Sequence, residues 1–141
     1  HKFFRLGVVA SAVSDGHVQV MSATMLQPGD CVVIISNSGR SRDLLDAAEI
    51  ARRKGATTIV ITASGSPLAR SANNSAQQIL LAVDHPEDYD RYSPMVSRLL
   101  HLVIIDILTT GVALRLGSEL RPMLAEIKRN LRSKRYAKTE E

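Results

Sequence analysis

Cys31-Val32-Val33-Ile34-Ile35 is five apolar residues in a row, entered through Gln27-Pro28-Gly29-Asp30 and left through Ser36-Asn37-Ser38-Gly39. A half-exposed strand alternates apolar and polar residues. An unbroken β-branched run between turn signals is instead a strand covered on both faces, the pattern of a parallel sheet. The flanking segments extend that reading. Ser41 to Lys54 carries Leu44, Ala47, Ala48 and Ala51 on one helical stripe, and Gly55 follows as a left-handed stop. Thr57 to Thr62 is a second buried strand, and Gln77 to Val83 a third. Between them, Ser66 reads as an N-cap and Pro67 as the first residue of a short helix through Ala72. Upstream, Gly7 to Val13 has strand character and Ser14-Asp15-Gly16 ends it; His17 to Leu26 then spaces Val18, Met21 and Met25 as a helix does. Strands alternating with helices predict an α/β domain with a mainly parallel sheet.

Beyond an acidic, polar loop from Asp84 to Arg91, Pro94 is expected to start a long helix running to about Leu116. A second, amphipathic helix follows from about Glu119, with Leu120, Leu124, Ile127 and Leu131 as its stripe. The long helix is apolar on nearly every side from Leu99 to Leu116. His101, Asp106 and Arg115 interrupt it, leaving uninterrupted apolar runs well short of the roughly 20 residues of a membrane span. The alternative is burial, and in a chain of 141 residues covering every face takes a second subunit. Core on one side and homodimer interface on the other is therefore the expectation, with no membrane partner.

Residues 1–114 hold ten basic and ten acidic side chains, while residues 115–141 hold eight and four, so the net +4 belongs to the C-terminal end. A solvated helix face and tail explains that surplus better than a nucleic-acid surface on the core. A single cysteine, Cys31, forms no intramolecular disulfide and no zinc cluster; at the head of a buried strand it is expected to be a core residue. With no charged-then-apolar leader, the chain reads as soluble and cytoplasmic.

Ser36-Asn37-Ser38-Gly39-Arg40-Ser41-Arg42 carries the chemistry. It lies at the carboxyl end of a buried strand, where open α/β sheets bind ligands, and it opens a helix whose free N–H groups suit an anion. Three hydroxyls can donate to phosphate oxygens, and Gly39 permits close backbone approach. A capping serine and a turn glycine would explain part of this run, but three serines in six residues favour an anion site. The loop has neither the Gly-Lys-Ser/Thr of a Walker motif nor a dinucleotide fingerprint. Arg40 and Arg42 flank it and could reach a carboxylate, or could simply face solvent on the helix's first turn. Ser64 and Ser66 stand beside the neighbouring mouth.

The segments ISNSGRSRD, ITASGSPLA and SPMVSRLLHLVIIDILTTGVALRLG, in this order and spacing, resemble the sugar isomerase (SIS) domain, above all that of RpiR-type bacterial transcription regulators. The resemblance covers nearly the whole chain. It implies a three-layer αβα fold with a flavodoxin-like sheet, a sugar-phosphate-binding domain over 1–118, and a C-terminal amphipathic helix with a basic tail over 119–141. It further implies that Ser36, Asn37, Ser38, Gly39 and Ser41 hold a ligand phosphate; Arg40 and Arg42 stay possible ligand contacts on the residues' own chemistry. The effector expected for such hexose-metabolism regulators is a phosphorylated sugar or sugar acid such as 2-keto-3-deoxy-6-phosphogluconate. It would modulate DNA binding by a separate helix-turn-helix domain in a homodimer. No metal or cofactor is implied. The family's first strand, with its Gly-x-Gly-x-Ser turn, and its helix-turn-helix domain have no counterpart in this sequence, so it reads as a piece of a longer protein.

The same fold also serves sugar-phosphate isomerases, which need a base poised near neutral pH. His17, His85, His101, Glu87 and Asp88 are the candidates, and no spacing among them forces convergence on the serine loop. A non-enzymatic, effector-binding domain is the preferred expectation.

Overall fold

The computed structural model describes residues 1–72, 76–86, 95–132 and 134. Tertiary contacts divide the chain into two units, one of residues 12–103 and one of residues 1–11 with 104–141.

The first unit contains a parallel sheet with strand order β1 (Cys31–Ile35), β2 (Thr57–Thr62), β3 (Gln78–Ala82). Cys31 stands opposite Thr57 in the first ladder, and Thr58 opposite Gln78 in the second. Helices α2 (Arg42–Arg53) and α3 (Pro67–Ala72) make the crossovers. Both pack on one face of the sheet, where Ile34 and Val60 meet Ala48 of α2 and Leu68 and Ala72 of α3. Small residues set the close approach: Ala47, Ala48 and Ala51 are all buried on α2. Helix α1 (Gly16–Met25) packs on α2; Asp15 caps it by accepting from the Val18 N–H at 3.1 Å. Its first residue lies against α2: a Cβ on Gly16 would come 2.5 Å from Asp43 Oδ2, which would have to swing aside. This is the α/β fold that the alternation of elements predicts, with strand and helix ends within two residues of expectation.

Two sequence expectations fail. Gly7 to Val13 forms no strand, and Val9 is fully exposed. Extended conformation becomes a strand only when a ladder satisfies its N–H and C=O groups, and among the described residues no ladder includes this segment. Cys31 is exposed, not in the core. It heads an edge strand whose burial fades at both ends, unlike central β2. Partial desolvation still pushes its thiol above the ordinary value.

The second unit is helical. A 3-10 turn at Phe4–Leu6 packs against α5 (Leu120–Arg132), and Gly7, with φ +79, brings its Cα close to Met123. Lys2 pairs with Asp106. Helix α4 spans Val96–Leu116, its residues up to Val103 counted in the first unit and those from Ile104 in the second, and a 3-10 turn at Gly117–Glu119 separates it from α5. On α4, Ser97 is buried, whereas Leu99, Leu102, Val103, Ile107 and Leu114 are each more than half exposed. The continuous stretch Val96–Arg132 is long and apolar enough, by length and composition, to cross a membrane. The expected loop from Asp84 to Arg91 and the helix start at Pro94 lie largely outside the described residues, as do Glu87, Asp88 and the end of the basic tail.

Candidate functional site

The site is built from two successive strand-to-helix turns at the carboxyl edge of the sheet. The first follows β1. The Ser36 N–H still donates across to the Ile61 carbonyl at 3.0 Å, so the ladder runs one residue beyond the strand. The Ser36 hydroxyl then accepts from the Gly39 N–H at 3.0 Å and closes the turn on itself. Gly39 takes a left-handed φ of +59; a Cβ there would sit 2.4 Å from Ser66 Oγ and 2.7 Å from Thr62 Oγ1. Glycine is thus required twice over, for its conformation and for the space.

That close approach interlocks the two turns. The Leu68 N–H donates to the Gly39 carbonyl at 3.1 Å, and the Ala63 N–H to the Asn37 carbonyl at 3.4 Å. Ser66 is the hub of the second turn: its hydroxyl accepts from the Ala69 N–H at 3.0 Å and shares a hydrogen bond with Thr62 Oγ1 at 3.1 Å. The cap expected of Ser66 before Pro67 is present. Asp84, just beyond β3, holds the same turn by accepting from the Ser64 N–H at 2.9 Å. That backbone bond, with help from the Ser64 hydroxyl, lowers the Asp84 pKa.

Between the turns lies a pocket of about 370 Å³, lined by Ser38, Arg40, Ala63, Gly65, Ser66, Pro67 and Arg70. Its lining includes two serines and two arginines and, among the described residues, no carboxylate. Arg70 is oriented by its own turn, its Nη1 donating to the Gly65 carbonyl at 2.7 Å.

The residues singled out from the sequence divide into three groups. Ser38 and Arg40 line the pocket; Ser36, Asn37 and Gly39 form the turn that shapes it. Ser41 begins α2 with extended backbone, and its carbonyl accepts from the Leu45 N–H, but its hydroxyl makes no capping bond. The helix start at α2 therefore lacks the side-chain cap that a purely local role for Ser41 would supply. Arg42 is exposed on the first turn of α2 and is not part of the pocket lining. His17, His85 and His101 are not part of it either. Among the described residues no three His, Cys, Asp or Glu side chains converge as a metal site.

Arg70, Thr62 and Asp84 were not legible as site residues. Arg70 carried a weak signal, four residues beyond an N-cap beside the pocket mouth. Asp84 carried none, because twenty residues separate it from Ser64 and only the parallel pairing of β2 with β3 brings them together.

A sequence model of the SIS domain matches residues 1–111. The HTH-type transcriptional regulator HexR of Pseudomonas aeruginosa is 44% identical over 136 residues, which make up 96% of this chain and 46% of HexR. The bifunctional protein glk of Burkholderia thailandensis is 43% identical over 118 residues, 84% of this chain and 18% of that protein. Among solved structures, the Vibrio vulnificus NanR protein complexed with ManNAc-6P superposes with a TM-score of 0.81 at 22% identity, covering 96% of this chain and 50% of NanR. The chain spans about half the length of the HexR relatives it matches. With the family match covering most of its residues, and the same α/β fold in its structural neighbours, the chain belongs to the SIS domain family.

Proposed function

We propose that this chain is the effector-binding and dimerising part of a carbohydrate-responsive transcription regulator. Its ligand is a phosphorylated sugar or sugar acid, with 2-keto-3-deoxy-6-phosphogluconate the first to test. The phosphate sits on the Ser36–Ser41 turn: Ser36, Asn37, Ser38, Gly39 and Ser41 supply hydroxyls, backbone N–H groups and the start of α2, and Arg40 supplies charge. The observation that carries this reading is the pocket between the interlocked turns, whose described lining includes two serines and two arginines and no carboxylate. Three or four hydrogen bonds to a charged acceptor, each contributing about 1.5–3 kcal/mol, suffice for micromolar affinity.

The likeness to HexR supports regulation over turnover. Among the described residues no His, Asp or Glu lines the pocket to act as a base. The exposed apolar face of α4 serves as the homodimer interface in this reading, and DNA is contacted through a separate domain in a cytoplasmic protein. The ligand acts by population shift: it stabilises one arrangement of the dimer, and linkage carries that preference to the DNA-binding domains.

Calorimetric titration with a panel of phosphorylated sugars and sugar acids, with inorganic phosphate as control and product analysis alongside, tests the reading. Saturable binding of one sugar phosphate without conversion is the expected result. Conversion of the bound sugar would replace the sensor by an isomerase. A folded dimer that binds no member of the panel would refute the site.

A further inference from the structure

Resting on the reading of this pocket as a sugar-phosphate site, we propose that Arg70 is a direct phosphate contact, so that one phosphate dianion is clamped between Arg40 on the first turn and Arg70 on α3. Three observations lead there. The packing of α3 fixes its rotation: Leu68 and Ala69 are fully buried and Ala72 nearly so, which leaves Arg70 on the opposite, exposed side, lining the pocket. Its guanidinium is oriented, because the Gly65 carbonyl takes one N–H at 2.7 Å. A guanidinium has five such donors.

The third observation is charge. Among the described residues no carboxylate lines the pocket, and the ion pairs there, Lys2 with Asp106 and Glu49 with Arg52 and Arg53, do not include Arg70. Arg70 and Arg40 thus share a pocket of about 370 Å³ whose described lining holds no carboxylate. A phosphate monoester carries about −1.5 to −2 near neutral pH, which matches that pair, and each planar fork suits two phosphate oxygens. The site then spans two βα units, and the interlock through Gly39 and Ser66 sets the separation of its two cations.

The test is calorimetric titration of the chain with inorganic phosphate and with glucose 6-phosphate. Arg70→Gln keeps an N–H donor for the Gly65 carbonyl while removing the charge, and Arg70→Lys keeps the charge. Arg53→Gln, at the far end of α2, lowers net charge equally and controls for long-range electrostatics. Thermal melting checks that each variant is folded. Arg70→Gln is expected to weaken both ligands by about tenfold or more, as loss of a charged hydrogen-bonding partner does. Arg70→Lys should recover most of that loss, and Arg53→Gln should bind as the parent does. Parental affinity in Arg70→Gln, with weakened binding in Ser38→Ala, would overturn the clamp and leave the serine-loop site standing. Failure of the unsubstituted chain to bind either ligand would overturn the site reading itself, and the clamp with it.

Discussion

Strand β2 and helix α4 are both strongly apolar, yet they meet opposite fates. In β2, Thr58, Val60, Ile61 and Thr62 are completely buried, with a strand on either side and helices on the face around Val60. In α4, five large apolar side chains are more than half exposed. Apolarity states that a segment is to be covered. It does not state by what. For β2 the cover comes from the next βα units of the same chain, reached by crossovers of a few tens of residues. For α4 the described residues supply no such cover, and an exposed apolar face of this extent marks an interaction surface. In the proposed function the two regions divide the work: the interlocked turns at the well-covered sheet take the ligand, and the uncovered helix is the surface from which its signal leaves.

The comparison is tested first where packing is tightest. Gly39→Ala forces a Cβ to 2.4 Å from Ser66 Oγ at a left-handed φ. It should destabilise the chain by about 2–4 kcal/mol, the sum of backbone strain and overpacking, as a shift of the urea midpoint. Anion binding should be lost with it.

On the uncovered side, Ile107→Glu places a charge on a side chain that is 65% exposed. Stability of the isolated fold should change little, because no core contact is removed. Sedimentation equilibrium should show the dimer displaced to monomer; an unchanged dimer would assign the interface to another surface.

Ser36→Ala removes the acceptor of the Gly39 N–H and one proposed phosphate donor. Sugar-phosphate affinity is expected to fall roughly tenfold while the far-ultraviolet circular dichroism spectrum stays as in the parent. Parental affinity in this variant would remove Ser36 from the site.

The smallest effect belongs to Asp84. Its folded-state pKa is lowered, first by the Ser64 backbone N–H, so ionised Asp84 favours the folded turn. That contribution is fully present above the unfolded carboxyl value of about 3.9 and is lost as pH falls through the lower folded value. Asp84→Asn should therefore erase a small decline in melting temperature at acid pH. A variant that still shows the full decline would assign it to other carboxylates.

The order of elements, the parallel sheet and the serine turn were legible because each rests on local chemistry. Cys31–Ile35 declares a buried strand by its unbroken β-branched run, Gly55 and the Ser66-Pro67 pair mark helix ends, and Ser36 to Ser41 concentrates hydroxyls where a helix starts. Long-range partners were not legible. Val8 to Val13 has the composition of a strand but no ladder, and Cys31 begins an apolar run but stands at a sheet edge. Asp84 and Arg70 look like solvated charges until β2 and β3 pair and α3 packs.

The sequence by itself thus determined most of the strands and helices, where the hydroxyl-rich turn lies, and to which family the chain belongs. Local propensity, apolar period and turn residues act within a few positions of one another, so one dimension suffices for them. Only the tertiary structure decided that Gly39 must be a glycine because Ser66 lies against it, that Arg70 shares a pocket with Arg40, and which apolar surfaces stay bare. Those facts depend on distances between residues far apart in the chain, and packing alone sets them.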